Sequence, residues 1–298
     1  MARELPRTLG TLAPDHQRGV DAEQYEIVVV DNGSRQRLDP AMLARFPGRL
    51  RSERLDPAPS SPARAANVGL AMAEGELVGL LIDGARMASP GLLAHALLAA
   101  QLAERPVVAT LAWHLGSVLH MRAAEVGYDE TAEDALLAEV DWEADGYRLF
   151  DISTLAASSQ RGWFGPLAES NALFLSQEMW SELGGLDERF AIPGGGRLNH
   201  DIYRRACALE GARLIVLFGE GTFHQTHGGA ATSGRYPRRE ADAEYEALRG
   251  EPFRPPSNEP LYLGTAPPQM LPHLEASLRW AAQRRDRPGM TPLASDTT

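Results

Sequence analysis

Two short apolar runs, each closed by an aspartate, constrain this chain more than any other feature. They are Tyr25-Glu-Ile-Val-Val-Val-Asp31 and Leu77-Val-Gly-Leu-Leu-Ile-Asp83. Each reads as a buried strand, and the first runs into the tight turn expected of Asn32-Gly33-Ser34. Between them Ser61-Pro62 supplies a helix start and Gly75 a stop. Strand, helix, strand is the unit of a parallel sheet covered by helices. The alternation continues, with a helix over Leu92–Leu102 after Ser89-Pro90 and strands over Pro106–Trp113, Ala168–Leu175 and Arg213–Phe218. The expectation is an α/β fold with a mostly parallel central sheet and helices on both faces.

The remaining segments are less regular. Glu4–Leu12 reads as a helix with no strand before it, so the sheet starts one strand late. Thr131-Ala-Glu-Asp134 has the form of a capping box ahead of a helix reaching Trp142. Ser176 should cap a helix ending at Gly184-Gly185, Gly194-Gly-Gly196 should form a loop, and Asn199–Leu209 a helix stopped by Gly211. Beyond about residue 235 the chain turns rich in Arg, Glu and Pro. It is expected to form a strap over 250–270, a last helix over 271–285 and a frayed tail over 286–298.

Composition removes several function classes. The net charge of −11 argues against a nucleic-acid or anionic-membrane binder, which needs a cationic footprint. Cys207 is the single cysteine, which excludes an internal disulfide, a thiolate zinc cluster and a CxxC redox pair. Apolar stretches fall short of the roughly 20 residues that span a bilayer, so no transmembrane segment is expected. No apolar signal region opens the sequence either, and a cytoplasmic protein, at most peripheral to the inner membrane face, is the expectation.

In an open α/β sheet, ligands bind outside the carboxyl ends of strands, which would bring Asp31 and Asp83 to one crevice. The competing reading is that each merely caps a turn. The order of motifs resembles family-2 glycosyltransferases of the GT-A fold. The resemblance lies in Val30-Asp31-Asn32-Gly33-Ser34, Asn67-Val-Gly-Leu70-Ala71 and Leu80-Leu-Ile-Asp83, followed by Gly184-Gly-Leu-Asp187-Glu-Arg-Phe190, Asp201 and Gly221-Thr-Phe-His-Gln-Thr-His-Gly-Gly229. It covers roughly residues 3–235. It implies a domain over 1–235, with a Rossmann-like nucleotide half over about 1–115 and an acceptor half over 116–235, and a Pro/Arg-rich extension over 236–298.

The resemblance implies a transferase that moves a sugar from a nucleotide-diphosphate-sugar donor to a hydroxyl of a saccharide or lipid-linked acceptor, as in cell-surface polysaccharide synthesis. Asp31, Asn32, Gly33, Ser34, Arg64 and Asn67 would line the nucleotide, although Arg64 could equally be a solvated helix residue. Asp83 would match the first acid of the DxD metal motif, holding Mn²⁺ or Mg²⁺ together with His224 or His227, of which His227 is preferred. Asp201 would match the general base of inverting members; it could instead stabilise its helix N-terminus. Trp163 and Phe164 would stack an acceptor sugar or else anchor their loop, and His200 would flank the acceptor.

Three departures qualify the match. Asp83-Gly84-Ala85 lacks the second acid, and Arg86 behind it could hold a diphosphate bidentately. The usual Glu-Asp pair reads His200-Asp201, and the opening strand is missing. Two alternatives follow: a non-catalytic nucleotide-sugar or glycan-binding relative, and a nucleotidyltransferase, although no glycine-rich phosphate loop follows the first strand.

Overall fold

The structure, a computed structural model, describes residues 3–227 and 237–286. The elements up to residue 115 are α1 (Leu5–Thr11), β1 (Glu26–Asp31), α2 (Pro40–Ala44), β2 (Arg49–Arg54), α3 (Ala63–Met72), β3 (Leu77–Leu81), β4 (Arg86–Ala88), α4 (Leu92–Ala100) and β5 (Pro106–Leu115). There follow α5 (Glu130–Glu139), β6 (Ser153–Leu155), β7 (Ala172–Ser176), α6 (Gln177–Leu183), α7 (Leu198–Cys207), β8 (Arg213–His224), α8 (Arg238–Arg249), β9 (Leu261–Gly264) and α9 (Leu274–Asp286).

The expected α/β architecture is what the chain adopts, with a mixed sheet. The main sheet runs β3-β7-β5-β8-β4, with β6 added on β5 and β9 on β8. Its β5–β8 and β8–β9 pairs are parallel, whereas β3–β7, β5–β7, β5–β6 and β4–β8 are antiparallel. β1 and β2 form a separate parallel pair. α3 packs on both β1 and β3, and each of those strands keeps one edge without a strand partner among the described residues.

Register across the sheet separates core from site. Residues paired across neighbouring strands point to the same face, and the next residue along each strand points to the other. Leu155, Trp113, Phe223 and Met87 align across β6, β5, β8 and β4, and the last three are fully buried. This row belongs to the main core, where Phe150 and Trp163 pack on Trp113. One position further along, Thr154, His114, His224 and Arg86 align across the same four strands. An apolar row and a polar row thus lie back to back, one on each face.

Several elements depart from the sequence expectation. β8 does not end at Phe218 but runs on to His224, through a register shift against β5 between Ala109 and Leu111. Gly219 and Gly221 permit this passage: a Cβ on Gly221 would lie 2.2 Å from the Trp113 ring. α5 is capped by Asp129, whose side chain accepts the Ala132 amide at 2.9 Å, rather than by Thr131. Ser89 caps nothing with its side chain and instead donates to the buried Glu220 at 2.5 Å. Ser176 does cap α6, accepting from Met179, and Gly184 ends it in the left-handed region at φ 67°. The C-terminal region does more than strap the surface. β9 joins the main sheet, and Tyr245, Met270 and Ser277 are fully buried. Gly228-Gly229 and the tail beyond Asp286 lie outside the described residues.

Candidate functional site

The polar row ends in a cluster of metal-ligating groups. Asp83 sits two residues past β3, and His224 is the last residue of β8, with His227 just beyond it. Asp83 Oδ2 lies 3.0 Å from His224 Nε2 and 2.9 Å from His227 Nε2, and the two nitrogens are 3.1 Å apart. An octahedral cation with bonds of about 2.1 Å has donor–donor edges of about 3.0 Å, so the three atoms match one face of such an octahedron. These residues therefore fit a divalent ion. One carboxylate and two imidazoles suit Mn²⁺ better than Mg²⁺, which prefers oxygen ligands.

The backbone at Asp83 is held in an unusual conformation. Its φ of 85° is the only positive value at a non-glycine residue among the described residues. Side chains resist this region, and residues kept there cluster at functional sites. Asp83 Oδ1 accepts the Ala85 amide at 3.2 Å, which leaves Oδ2 to face the histidines. Burial works against the Asp83 charge, yet the hydrogen bonds to His224 and His227 hold its pKa well below the usual value.

Neighbouring elements fix the strand end that carries the histidines. The Gln225 amide donates to Ala85 O at 2.8 Å, and its side chain reaches Glu4 O and Thr8 Oγ1 on the α1 side. The Thr226 amide donates to Glu133 Oε2 at 2.6 Å, and Arg3 Nη1 reaches both Thr226 O and Glu133 Oε1 at 3.3 Å. Helices α1 and α5 thereby set the position of His227 through main-chain contacts.

Arg86 lies beside His224 on β4. Its Nε donates to Ile82 O at 2.9 Å, while Nη1 is buried with no hydrogen-bond partner among the described residues. Burial lowers its pKa, and the nearby carboxylates of Asp83 and Glu169 oppose that shift. A buried guanidinium nitrogen without a partner costs free energy that an anionic ligand would recover. Glu169, close enough to feel Arg86, accepts from Asn199 Nδ2 at 2.8 Å and lies 3.5 Å from His200 Nδ1. Burial opposes its charge, but His200, Asn199 and Arg86 together hold its pKa below the usual value.

Several residues expected at the site have other duties. Asp201 is 1% exposed, and its carboxylate is taken by Arg249 at 2.5 and 2.7 Å and by Arg205 at 2.8 Å. It ties α7 to α8, and arginines engage three of the roughly four lone pairs of its carboxylate. Trp163 is wholly buried against Trp113 and Phe218, with its indole N–H on Leu217 O, and is core rather than a sugar platform. Phe164 is half-buried edge-on to Tyr262 and anchors its loop. Asn67 spends its amide on Leu186 N–H, Leu186 O and Glu188, stapling α3 to the loop after α6.

At the turn after β1, Asp31 is paired with Arg54 and accepts the Ser34 amide at 2.8 Å. Gly33 takes φ 74°, and a Cβ there would fall 2.5 Å from Ala58 Cβ. Asn32 donates to Pro59 O at 3.0 Å and keeps a buried Oδ1 without a hydrogen-bond partner among the described residues. Arg64 is exposed on α3. His200 stands edge-on to Phe253, next to Glu169.

Sequence reasoning missed Glu169 and the pair His114 and His120. Glu169 falls inside the strand expected over Ala168–Leu175, but the strand begins only at Ala172 and leaves Glu169 in the irregular stretch before it. His114 was hidden one residue past the end expected for its strand, and only the register with β8 places it beside His224.

The sequence matches no protein-family model and no curated protein. Among solved structures, the chain is similar to residues 1–349 of TarS from S. aureus, with a TM-score of 0.50 and 13% identity over 75% of this chain and 57% of that one. It spans about a third (34%) of the longer TarS structure. The mannosyltransferase PcManGT from Pyrobaculum calidifontis, solved with GDP-Man and Mn²⁺, aligns with 97% of this chain and 74% of its own at 16% identity and a TM-score of 0.46. The TarS likeness is one of fold: the chain shares the α/β architecture of that segment. No helix among the described residues is long and apolar enough to cross a membrane.

Proposed function

We propose that this chain is a cation-assisted glycosyltransferase using a nucleotide-diphosphate sugar, and that Asp83, His224, His227 and Arg86 hold the donor's diphosphate end. The observation that carries this reading is the convergence of the Asp83, His224 and His227 donor atoms next to the unsatisfied Arg86 nitrogen. A divalent ion bound by the triad supplies charge neutralisation for a departing diphosphate. Arg86 adds a fixed positive group from the adjacent strand, and preorganised charge of this kind is the larger part of such catalysis.

Glu169 takes the base role on the acceptor side of Arg86. The acceptor oxygen attacks the anomeric carbon, the bond to the diphosphate oxygen breaks with its electron pair leaving on the nucleoside diphosphate, and the hydroxyl proton passes to the Glu169 carboxylate. Asn199 and His200 orient that carboxylate. Its lowered pKa makes it a modest base, which suffices when proton transfer follows departure of a good leaving group. One base on the face opposite the leaving group gives inversion. The acceptor is a saccharide or lipid-linked hydroxyl.

Incubation of the protein with Mn²⁺ and a panel of UDP-, GDP- and dTDP-sugars tests the reading. Release of the nucleoside diphosphate, stimulated by a hydroxyl acceptor, is expected. Calorimetric donor binding without any release supports a non-catalytic binding protein instead.

A further inference from the structure

Behind the Asp83 triad lies a second group of imidazoles. His114 and His224 are register partners on β5 and β8, and His120 enters from the turn His120–Val126 to stack on His114 with ring centroids 4.4 Å apart. His120 and His224 centroids are 5.2 Å apart, and one ring nitrogen of each of the three residues lies within 4.8 Å of the others. His120 and His224 are 1% and 2% exposed.

The hydrogen bonds decide which nitrogens are available. His120 Nε2 lies 3.0 Å from Leu115 O, an acceptor, so Nε2 carries the proton and Nδ1 keeps its lone pair. That Nδ1 is buried without a hydrogen-bond partner among the described residues, and so is Nδ1 of His224. His224 Nε2 sits 3.0 Å from Asp83 Oδ2. When Nε2 donates to that carboxylate, the His224 lone pair also falls on Nδ1. A carboxylate that orients a histidine's far nitrogen in this way is the usual support for a metal-bound imidazole. His114 Nδ1 accepts the His120 amide at 2.9 Å, so full coordination exchanges that bond for a metal bond.

We propose that His114, His120 and His224 form a second cation site, suited to a borderline transition-metal ion such as Zn²⁺, whose filling excludes a cation at the Asp83 triad. Three imidazoles without oxygen ligands favour Zn²⁺, Ni²⁺ or Cu²⁺ over Mn²⁺ and Mg²⁺. Zinc commonly takes three protein ligands and leaves a fourth position open. Tetrahedral bonds of about 2.0–2.1 Å put nitrogens about 3.4 Å apart, so filling the site requires the nearly parallel His114 and His120 rings to turn as well as draw together. Exclusion follows from His224: a neutral imidazole has one lone pair, and ligation through Nδ1 leaves Nε2–H donating to Asp83. The site stands apart from the glycosyltransferase reading, which it affects only by making Zn²⁺ an antagonist of the other cation.

Calorimetric titration of metal-stripped protein with Zn²⁺ tests it in a background that disables the first triad, His227→Gln. That variant is expected to bind one Zn²⁺. Adding His120→Phe, which keeps the stack and the amide bond to His114, should weaken Zn²⁺ binding at least tenfold. Adding His114→Phe instead should act in the same direction, and thermal melts without metal report on folding. Unchanged Zn²⁺ affinity in both double variants overturns the site. In wild-type protein preloaded with Mn²⁺, one Zn²⁺ should displace one Mn²⁺, whereas simultaneous binding of both overturns the exclusion. None of these readouts needs transferase activity.

Discussion

Arg249 grips Asp201 in a two-pronged pair, Nε to Oδ1 at 2.5 Å and Nη2 to Oδ2 at 2.7 Å, and its Nη1 also reaches Asp187 at 2.9 Å. A carboxylate so enclosed holds α7 against α8. Removal of one partner from a buried pair costs about 3–5 kcal/mol where the other charge is left alone, and here Arg205 remains on Asp201 to offset part of that loss. Arg249→Met should therefore lower the melting temperature sharply. Asp201→Asn should act chiefly on stability, with turnover of the folded fraction within about threefold of wild type.

Glu169→Gln should behave in the opposite way. The isosteric amide keeps the contact with Asn199 and removes the proton acceptor. Loss of a general base typically costs 10²–10⁴-fold in rate. Acceptor-dependent transfer should fall by about that factor, with the donor dissociation constant and the melting temperature little changed.

These two acids show how much of the protein was legible in its sequence. The α/β alternation, the strand ending at Asp31, the strand that stops two residues short of Asp83 and the helix capped by Ser176 follow from local pattern, because propensity and capping act over a few residues. Asp83 and the two histidines of the 221–227 segment could be named from motif order alone. The partner of Asp201 could not, since Arg249 lies 48 residues away on a helix in the Arg- and Glu-rich stretch after residue 235, where no element was expected. Nor could Glu169, Arg3 or His120 be assigned, because their positions depend on long-range packing. The short strand β4 was hidden for the same reason: Arg86–Ala88 extends only because the far end of β8 offers it a ladder.

The left-handed backbone at Asp83 permits a test separate from chemistry. An alanine there keeps the unfavourable Cβ geometry, whereas glycine relieves it, and the difference in this region is about 1–2 kcal/mol. Both variants lose the carboxylate. With metal chelated, Asp83→Gly should melt above Asp83→Ala by the corresponding few degrees. Equal melting temperatures would mean that the backbone at this position is unstrained.

Acid should destabilise the fold through its buried imidazoles. Burial pushes the pKa of His120 down to about 3 and that of His224 to about 4. The unfolded rings, near 6.5, therefore bind protons that the folded ones refuse. Their stabilising contribution is complete above about pH 6.5 and declines as the pH falls toward the folded values. One ring accounts for roughly 2 kcal/mol between pH 7.5 and 5. Denaturant titrations in chelator should show His120→Gln losing about that much less than wild type over this range.

The central claim is that Asp83, with its two histidines, holds the cation on which donor cleavage depends. The most direct measurement is nucleoside diphosphate release from the preferred nucleotide sugar, compared with and without Mn²⁺ for wild type and Asp83→Asn, a residue that tolerates the same backbone. Wild type is expected to release the nucleoside diphosphate in a Mn²⁺-dependent way, abolished by chelation and reduced at least a hundredfold in the variant. Release that is indifferent to chelation and equal in the two proteins would contradict it.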